Sequence, residues 1–425
     1  MELYSITNTA LFSDADPLAH WLLQQGLEGA SQEELLQGYC QKLVDLGIPL
    51  YRLHIAQRAF HPQFGGIGFD WLRSSGVSQE RYAHTTVQPE RWLQSPLFHL
   101  LEHNLAEIRE TLGTPGYNGP FPLLNELAAQ GATDYFATGL LFEKPNQKST
   151  IDPNNTPEGI LISWASDHPG GFSDADLNQI RGGLPYLGLA LKSASNRQIA
   201  RDLLGVYLGR DAGKRVLSGD IQRGTLQQIN AVICYFDLTG FTSLAERTEG
   251  QTLIEMLNDY FGLAVAAIQD HDGHVLKFMG DGILAMFDHA DLAQAADAAL
   301  NMASLLRHQI ARKNEERQAR NLPTTGFTLA LHAGEILYGN IGAENRLDFT
   351  VIGPAVNLTA RLSGMHSSVG QSVIVSEQIV KAYQSGPHDL VSHDLVSLGR
   401  YMLRGVSNPQ ELFTLHNDKA PDQNP

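Results

Sequence analysis

The chain has 425 residues, which is too many for one hydrophobic core, so we expect at least two domains. Hydrophobic residues make up 43% of the sequence and charged residues 18%, a globular balance that excludes the intrinsically disordered class. The formal net charge of -16 argues against non-specific binding to nucleic acid or to anionic membranes.

The start of the chain has no basic segment followed by an apolar run, so we expect no signal peptide. No uninterrupted stretch of about 18 apolar residues occurs, so no membrane-spanning helix is expected. The two cysteines, Cys40 and Cys234, are too few for a disulfide scaffold. Together these features predict a cytoplasmic protein.

The first 175 residues mix strand and helix patterns. Apolar residues alternate over 51–55, and residues 159–164 form a second strand candidate. Ser173 is placed to cap a helix that extends to about residue 208, with an interruption at Gly182 and Gly183. The glycine-rich stretch that follows, 205–224, is predicted to be a connector.

From residue 231 onward the patterns are sharper. Residues 231–236 form a continuous apolar run, typical of a strand buried on both faces. Apolar residues recur at helical spacing over 253–268 and 292–306. Two short strands, 274–279 and 283–287, flank Gly280-Asp281-Gly282 and predict a tight hairpin. Further elements are expected as strands at 327–333, 347–353, 372–375 and 409–415, and as a helix at 355–366.

The β-α-β-β-α-β order of these elements predicts an α+β domain of the ferredoxin-like kind. Its helices are expected on one face of a mainly antiparallel sheet. The domain before it is also expected to be α+β.

Two aspartates occupy special places in this predicted sheet. Asp237 ends the buried strand, and Asp281 lies at the tip of the hairpin. If the strand and the hairpin are neighbours, the two carboxylates converge and can hold Mg²⁺ or Mn²⁺, which also bind phosphate oxygens. Taken singly, each aspartate is more often an ordinary turn residue.

The wider set of motifs favours the metal-binding interpretation. Three segments resemble the motifs of class III nucleotidyl cyclases, in the family order: FDLTGFTSL at 236–244, KFMGDG at 277–282 and RLDFTVIGPAVNLTARL at 346–362. The resemblance covers about residues 228–416. It implies an adenylate cyclase that converts ATP to 3′,5′-cyclic AMP and pyrophosphate by a two-metal mechanism.

The resemblance also implies a role for each matched residue. Asp237, Leu238 and Asp281 are the implied metal-binding residues, with two ions, Mg²⁺ or Mn²⁺, in each active site. Lys277 and Asp348 match the pair that reads the adenine ring. The remaining implied roles are ribose orientation and transition-state stabilisation by Asn357 and Arg361, which lie four residues apart on a predicted helix.

The sequence departs from the family pattern at three positions. Arg404 stands in a Leu-Arg-Gly segment where the family commonly has lysine, and we assign it the same contact with the terminal phosphates. Pro354 replaces a common aspartate and is expected to pre-set the first helical turn. Gln371 stands where some family members have an arginine, so weaker binding of the triphosphate is expected.

The family places each active site between two cyclase domains, so the single domain here implies a homodimer with two composite sites. Two alternatives remain open. A guanylate cyclase is disfavoured by Lys277 and Asp348. A catalytically silent cyclase-like module that binds nucleotide or a partner and passes on a signal is disfavoured by four retained residues, Asp237, Asp281, Asn357 and Arg361.

The N-terminal part resembles sensory domains of the GAF kind, through segments 51–71, 133–136 and 167–172. The resemblance implies a regulatory domain at 1–180, followed by a helical linker at 181–227 and the catalytic domain at 228–417. The polar residues 418–425 are expected to form a disordered tail. The expected partners are ATP, a second copy of the chain and an unidentified effector of the N-terminal domain, with no nucleic acid and no membrane. Histidines in this part match no metal-ligand spacing and are interpreted as structural or exposed; they are His54, His61, His84, His99 and His103.

Overall fold

The structure, a computed structural model, describes residues 16–85, 87–142, 158–386 and 393–416. The chain divides into two units, Met1–Leu203 and Leu204–Pro425. The helices and strands of the first unit are α1 (Pro17–Glu28), α2 (Gln32–Asp45), β1 (Leu50–Arg58), β2 (Phe64–Leu72), β3 (Gly76–Ala83), α3 (Glu90–Leu93), α4 (Pro96–Glu102), β4 (Glu107–Thr111), α5 (Pro122–Ala129), β5 (Asp134–Leu141), β6 (Gly159–Ser166) and α6, which extends over Asp174–Leu208.

The first unit is built on a six-stranded antiparallel sheet with the order β3-β2-β1-β6-β5-β4. The alternation predicted around residues 51–55 is observed, since Leu53 and Ile55 are buried and the residues between and beside them are half-buried. Helices α1, α2 and α6 cover one face of the sheet, and α4 and α5 cover the other. The unit therefore has two apolar layers of its own.

Helix α6 begins as the sequence predicts and continues where the sequence predicted a break. Ser173 Oγ accepts the N–H of Asp176, and the Asp176 carboxylate accepts the N–H of Ser173, which together cap the helix. The predicted interruption at Gly182 and Gly183 is wrong. Gly183 is buried, and a Cβ there would lie 3.1 Å from Leu18 Cδ2, so this glycine allows close helix packing.

The second unit contains the remaining elements. They are α7 (Arg210–Leu217), β7 (Leu226–Leu238), α8 (Phe241–Ala245), α9 (Gly250–Asp270), β8 (His274–Met279), β9 (Gly282–Phe287), α10 (Leu292–Ala319), β10 (Phe327–Ala343), β11 (Arg346–Ile352), α11 (Pro354–Ser363), α12 (His366–Val369), β12 (Val373–Ser376), α13 (Glu377–Gln384), β13 (Leu395–Tyr401) and β14 (Gln410–Leu415). Helix α7 lies inside the predicted connector, and β13 was not predicted.

The predicted β-α-β-β-α-β order is observed as β7-α9-β8-β9-α10-β10. These four strands are antiparallel and lie side by side in the order β10-β7-β9-β8. Strands β12, β14 and β13 extend the sheet beyond β10, and β11 pairs with the far end of β10. Strand β10 is longer than predicted because it stays paired with β7 as far as Gly339 and Leu226.

The prediction of helices on one sheet face holds for α9, α10 and α13 and is wrong for α7 and α11. Val232, Cys234 and Phe236 pack under α9, α10 and α13. On the other face, a smaller apolar cluster joins Ala231 and Ile233 to residues of α7 and α11. The physical reason is the continuous apolar run of β7, because a strand that is apolar on both sides needs cover on both sides.

Both cysteines are free and buried, Cys40 in α2 and Cys234 in β7. Burial raises the pKa of the Cys234 thiol to about 12 and that of the Cys40 thiol well above its usual range. Within the ranges that the structure describes, no helix combines the length and the apolar character needed to cross a membrane.

Candidate active site

The two predicted metal carboxylates lie at the same end of the sheet. Asp237 is the penultimate residue of β7 and pairs across the ladder with Gly282, the first residue of β9. The hairpin turn that carries Asp281 therefore lies beside the end of β7. The Leu238 N–H donates a hydrogen bond of 3.2 Å to the Asp281 carbonyl, which ties the turn to the strand.

Gly282 makes room for the Asp237 carboxylate. A Cβ at position 282 would lie 2.9 Å from Asp237 Oδ1, closer than real Cβ contacts allow. The motif Gly-Asp-Gly was visible in the sequence, but this steric role of its second glycine was not. It follows from a strand pairing that only the fold reveals.

The electrostatics of the two carboxylates fit a divalent cation. Burial, and secondly the charge of Asp281, raise the pKa of Asp237 to about 6. A raised pKa means that the anionic form of Asp237 is disfavoured. A cation bound between the two carboxylates would offset both the cost of burying the charge and the repulsion from Asp281. Carboxylate and carbonyl oxygens are the ligands that Mg²⁺ and Mn²⁺ prefer. Asp237, Asp281 and the Leu238 main chain therefore form a suitable donor set.

Asp237 belongs to the sheet face opposite the long helices. Side chains alternate along β7, and Phe236 and Leu238 pack in the cluster under α9 and α10. Tyr235 and Asp237 consequently share the other face. Burial, and then the charges of Asp237 and Asp281, raise the pKa of the Tyr235 phenol, in keeping with this arrangement.

Lys277 reaches that same face through an irregularity in β8. The register of β8 against β9 shifts between Val275 and Lys277, which places Lys277 opposite Leu284. Leu284 belongs to the apolar cluster on the opposite face. The neighbouring Phe278 stacks on Phe261 of α9, with ring centroids 5.1 Å apart, and so faces the other way.

Lys277 and Asp348 are brought together, although they are 71 residues apart in the chain. Lys277 Nζ donates to the carboxylate of Asp348, which lies on β11. The two side chains are 33% and 56% exposed, so a ligand can reach both. The predicted adenine-reading pair is thus one donor and one acceptor, adjacent and accessible.

Asn357 and Arg361 lie on the exposed side of α11. Pro354 occupies the first position of the helix, as the sequence predicts, and Ala355 and Leu362 are buried on its other side. Among the residues that the structure describes, neither the Asn357 nor the Arg361 side chain has a hydrogen-bond or ion-pair partner. Their polar groups are therefore available to a ligand or to a second chain.

Arg404 is held on a turn after β13. Leu403 is buried against Leu412, and its carbonyl accepts the N–H of Val406 at 3.0 Å. Gly405 has a φ of 76°, a conformation that glycine adopts without strain. The Arg404 side chain is exposed.

The structure thus forms two pairs from the predicted residues. The carboxylate pair, Asp237 and Asp281, lies at the end of β7. The base-reading pair, Lys277 and Asp348, joins β8 to β11. In the described part of the chain, no hydrogen bond or ion pair joins one pair to the other. Residue assignments within these pairs remain predictions.

The comparison with protein families covers part of the second unit. Residues 225–417 match the adenylate and guanylate cyclase catalytic domain. The chain is similar to an adenylate cyclase of Anabaena cylindrica, with 31% identity over 166 residues that make up 38% of this chain and 32% of the relative. It is also similar to adenylate cyclase 1 of Rhizobium meliloti (strain 1021), with 29% identity over 196 residues, 45% of this chain and 29% of the relative.

Among solved structures, the chain is similar to an adenylyl cyclase from P. aeruginosa, with 22% identity and a TM-score of 0.42 over 46% of this chain and 97% of that one. The chain spans about a third of the length of the curated relatives it matches. The family match supports an adenylate and guanylate cyclase catalytic domain at residues 225–417.

Proposed function

We propose that this protein is an adenylate cyclase that converts ATP to 3′,5′-cyclic AMP and pyrophosphate in a homodimer. The observation that carries the proposal is the pairing of Lys277 with Asp348 on an accessible face of a cyclase-type domain. This pair accounts for the choice of base, which the family match leaves open between adenine and guanine.

The pair is complementary to adenine. Lys277 has only donors and Asp348, when ionised, only acceptors. Adenine presents an acceptor at ring N1 beside a donor, its exocyclic amine. Guanine presents a donor at N1 and a carbonyl acceptor beside it, the reverse pattern. Each residue exchanges its partner in the free protein for the matching atom of adenine, so no polar group is left unpaired.

Asp237, Asp281 and the Leu238 main chain would hold two Mg²⁺ or Mn²⁺ ions, as their donor chemistry allows. When bound, such ions lower the pKa of the ribose 3′-hydroxyl and neutralise charge on the triphosphate. Arg361 donates to the α-phosphate, whose charge increases in the transition state. Asn357, one turn earlier on α11, orients the ribose, and Arg404 contacts the terminal phosphates.

A shared active site accounts for the separation of these groups. Asn357 and Arg361 are exposed and have no hydrogen-bond or ion-pair partner among the described residues. Within the same ranges, no hydrogen bond or ion pair joins the base-reading pair, Lys277 and Asp348, to the carboxylate pair. A second copy facing this side of the sheet would bring the carboxylate pair of one chain to the base-reading pair and α11 of the other. A two-fold arrangement then yields two equivalent sites.

The proposal extends to regulation. Residues 1–180 would act as a GAF-like sensory domain for an unidentified effector, with 181–227 as the linker to the catalytic domain at 228–417. The support is that the first unit has its own sheet and its own apolar layers on both faces. It contributes none of the residues proposed for catalysis.

The test is product analysis by mass spectrometry after incubation of the purified protein with ATP or GTP and Mn²⁺. We expect cyclic AMP in excess over cyclic GMP, and loss of both in Arg361→Ala. Arg312→Ala is the matched control, since Arg312 is an exposed arginine on α10, away from the proposed site. Equal rates with the two nucleotides would contradict base reading by Lys277 and Asp348. Nucleotide binding without product would establish the silent signalling module instead.

A further inference from the structure

A group of metal-ligand side chains lies in the first unit, outside the proposed active site. One donor atom from each of His99, Glu102 and His103 lies within 4.8 Å of the other two. The sequence alone did not suggest this group, because the short helix that carries it was not predicted. We propose that these three residues bind a divalent transition metal of the zinc class.

Helix geometry places the donors together. Glu102 and His103 follow His99 by three and four positions, so all three side chains lie on one face at the end of α4. The rings of His99 and His103 are tilted by 34°, with centroids 4.0 Å apart. Two imidazoles at i and i+4 beside a carboxylate form the kind of donor set that zinc sites use.

The backbone that carries these side chains is well anchored. Leu97 and Leu100, on the other side of α4, are buried in the apolar layer beneath the helix. The Leu105 N–H donates to the Leu100 carbonyl at 2.9 Å and closes the helix end. Zinc bonds of about 2.1 Å place ligand atoms closer together than 4.8 Å, so the half-buried His99 and the exposed Glu102 and His103 side chains must rotate slightly to bind one ion.

Both histidines are also oriented. His103 Nδ1 lies 3.1 Å from the His99 carbonyl, and because a carbonyl can only accept, Nδ1 carries the hydrogen. The lone pair of the neutral ring is therefore on Nε2, free for a metal. Histidine ligands are commonly held in this way by a carbonyl on the other ring nitrogen. The edge of Phe121 packs against the His99 ring, with centroids 5.4 Å apart.

The donor chemistry selects the class of metal. Two imidazoles and one carboxylate suit Zn²⁺, Ni²⁺, Cu²⁺ and Co²⁺, whereas Mg²⁺ prefers oxygen ligands alone. Three protein ligands leave a fourth position open to water or to another donor. The site therefore differs in chemistry from the carboxylates Asp237 and Asp281, and the two can be titrated separately.

The test is calorimetric titration of the full chain with ZnCl₂ in the presence of excess Mg²⁺, which competes with zinc for the proposed oxygen-donor site at Asp237 and Asp281. We expect one zinc ion that the His99→Ala, His103→Ala double variant loses, and an affinity at least about tenfold lower in either single variant. His84→Ala is the matched control, since His84 is an exposed histidine of the same unit outside the group. Co²⁺ adds a spectroscopic readout, because its visible absorption in the wild type should disappear in the double variant.

All four tryptophans lie in the first unit, so an unchanged tryptophan emission spectrum checks that each variant is folded. If the double variant fails this check, Glu102→Gln gives the same test with a smaller change. The proposal is overturned if the wild type binds no zinc in the presence of Mg²⁺. It is equally overturned if folded variants bind zinc as the wild type does.

Discussion

Replacing the buried Asp134 by alanine should destabilise the first unit strongly. Asp134 is the first residue of β5, and its side chain is only 2% exposed. Its Oδ2 accepts hydrogen bonds from Arg109 Nη2 and from the Phe172 N–H, each 2.9 Å long. One carboxylate thus connects β4, β5 and the segment before α6, and it joins two of the stretches on which the expectation of a GAF-like domain depends.

The size of the effect follows from how far the two groups that donate to Oδ2, the Phe172 N–H and the Arg109 guanidinium, are exposed to water. A hydrogen bond to a charged group contributes about 1.5–3 kcal/mol, and the buried Phe172 N–H would lose its acceptor, so this bond accounts for about 2 kcal/mol. The Arg109 side chain is 38% exposed, so in the variant its guanidinium can donate to water instead. Loss of this bond therefore accounts for only about 1 kcal/mol of the free energy of unfolding. The expected loss is about 3 kcal/mol. At a urea m-value of about 3 kcal/mol/M, the midpoint falls by about 1 M.

Tryptophan fluorescence during urea unfolding measures this change selectively, because Trp21, Trp71, Trp92 and Trp164 all lie in the first unit. Asp174→Ala is the matched control. Asp174 lies 3.7 Å from the same Arg109 but is 97% exposed, so its loss should cost less than about 1 kcal/mol. Equal midpoints for Asp134→Ala and Asp174→Ala would refute the argument from burial.

Three further predictions concern the second unit. Burial lowers the pKa of His332 to about 4, so between pH 7 and pH 5 the unfolded chain binds a proton that the folded chain excludes. The contribution of His332 to stability should therefore fall by about 2 kcal/mol over this range, measured in urea titrations as the difference in pH dependence between the wild type and His332→Gln. Lys277→Glu combined with Asp348→Cys should erode the preference for ATP in competition assays, whereas an unchanged preference would remove the base-reading role. Asp237→Ala and Arg361→Ala should each abolish turnover, yet their mixture should recover roughly a quarter of wild-type activity, because about half of the dimers then hold one intact site. Mixed dimers that are verified by mass and remain inactive would disprove shared sites.

Local sequence signals predicted the elements that depend on near neighbours. The hairpin of β8 and β9 was predicted within a residue, because the turn glycines and the flanking apolar runs are all contiguous. The convergence of Asp237 and Asp281 followed from that hairpin. Their closeness in the structure shows how a short motif can define the geometry of a strand end.

Features that depend on distant partners escaped prediction. The far half of β10 is stabilised by pairing with β7 and β11, which local composition does not reveal. Helix α6 passes through Gly183 because Leu18, far away in sequence, fills the space beside it. The His99 and His103 pair had a readable signal, their spacing of four on a helix, but interpreting it required knowing that α4 ends there.

The burial of both native thiols makes the protein well suited to site-specific labelling. Cys40 and Cys234 are inaccessible, and their raised pKa values keep them as unreactive thiols at neutral pH. A single cysteine introduced at an exposed position such as Glu315 on α10 would then carry a spin label or a fluorophore alone, with no need to remove the native pair. Distances between such labels on two chains would show directly how the copies face each other in solution.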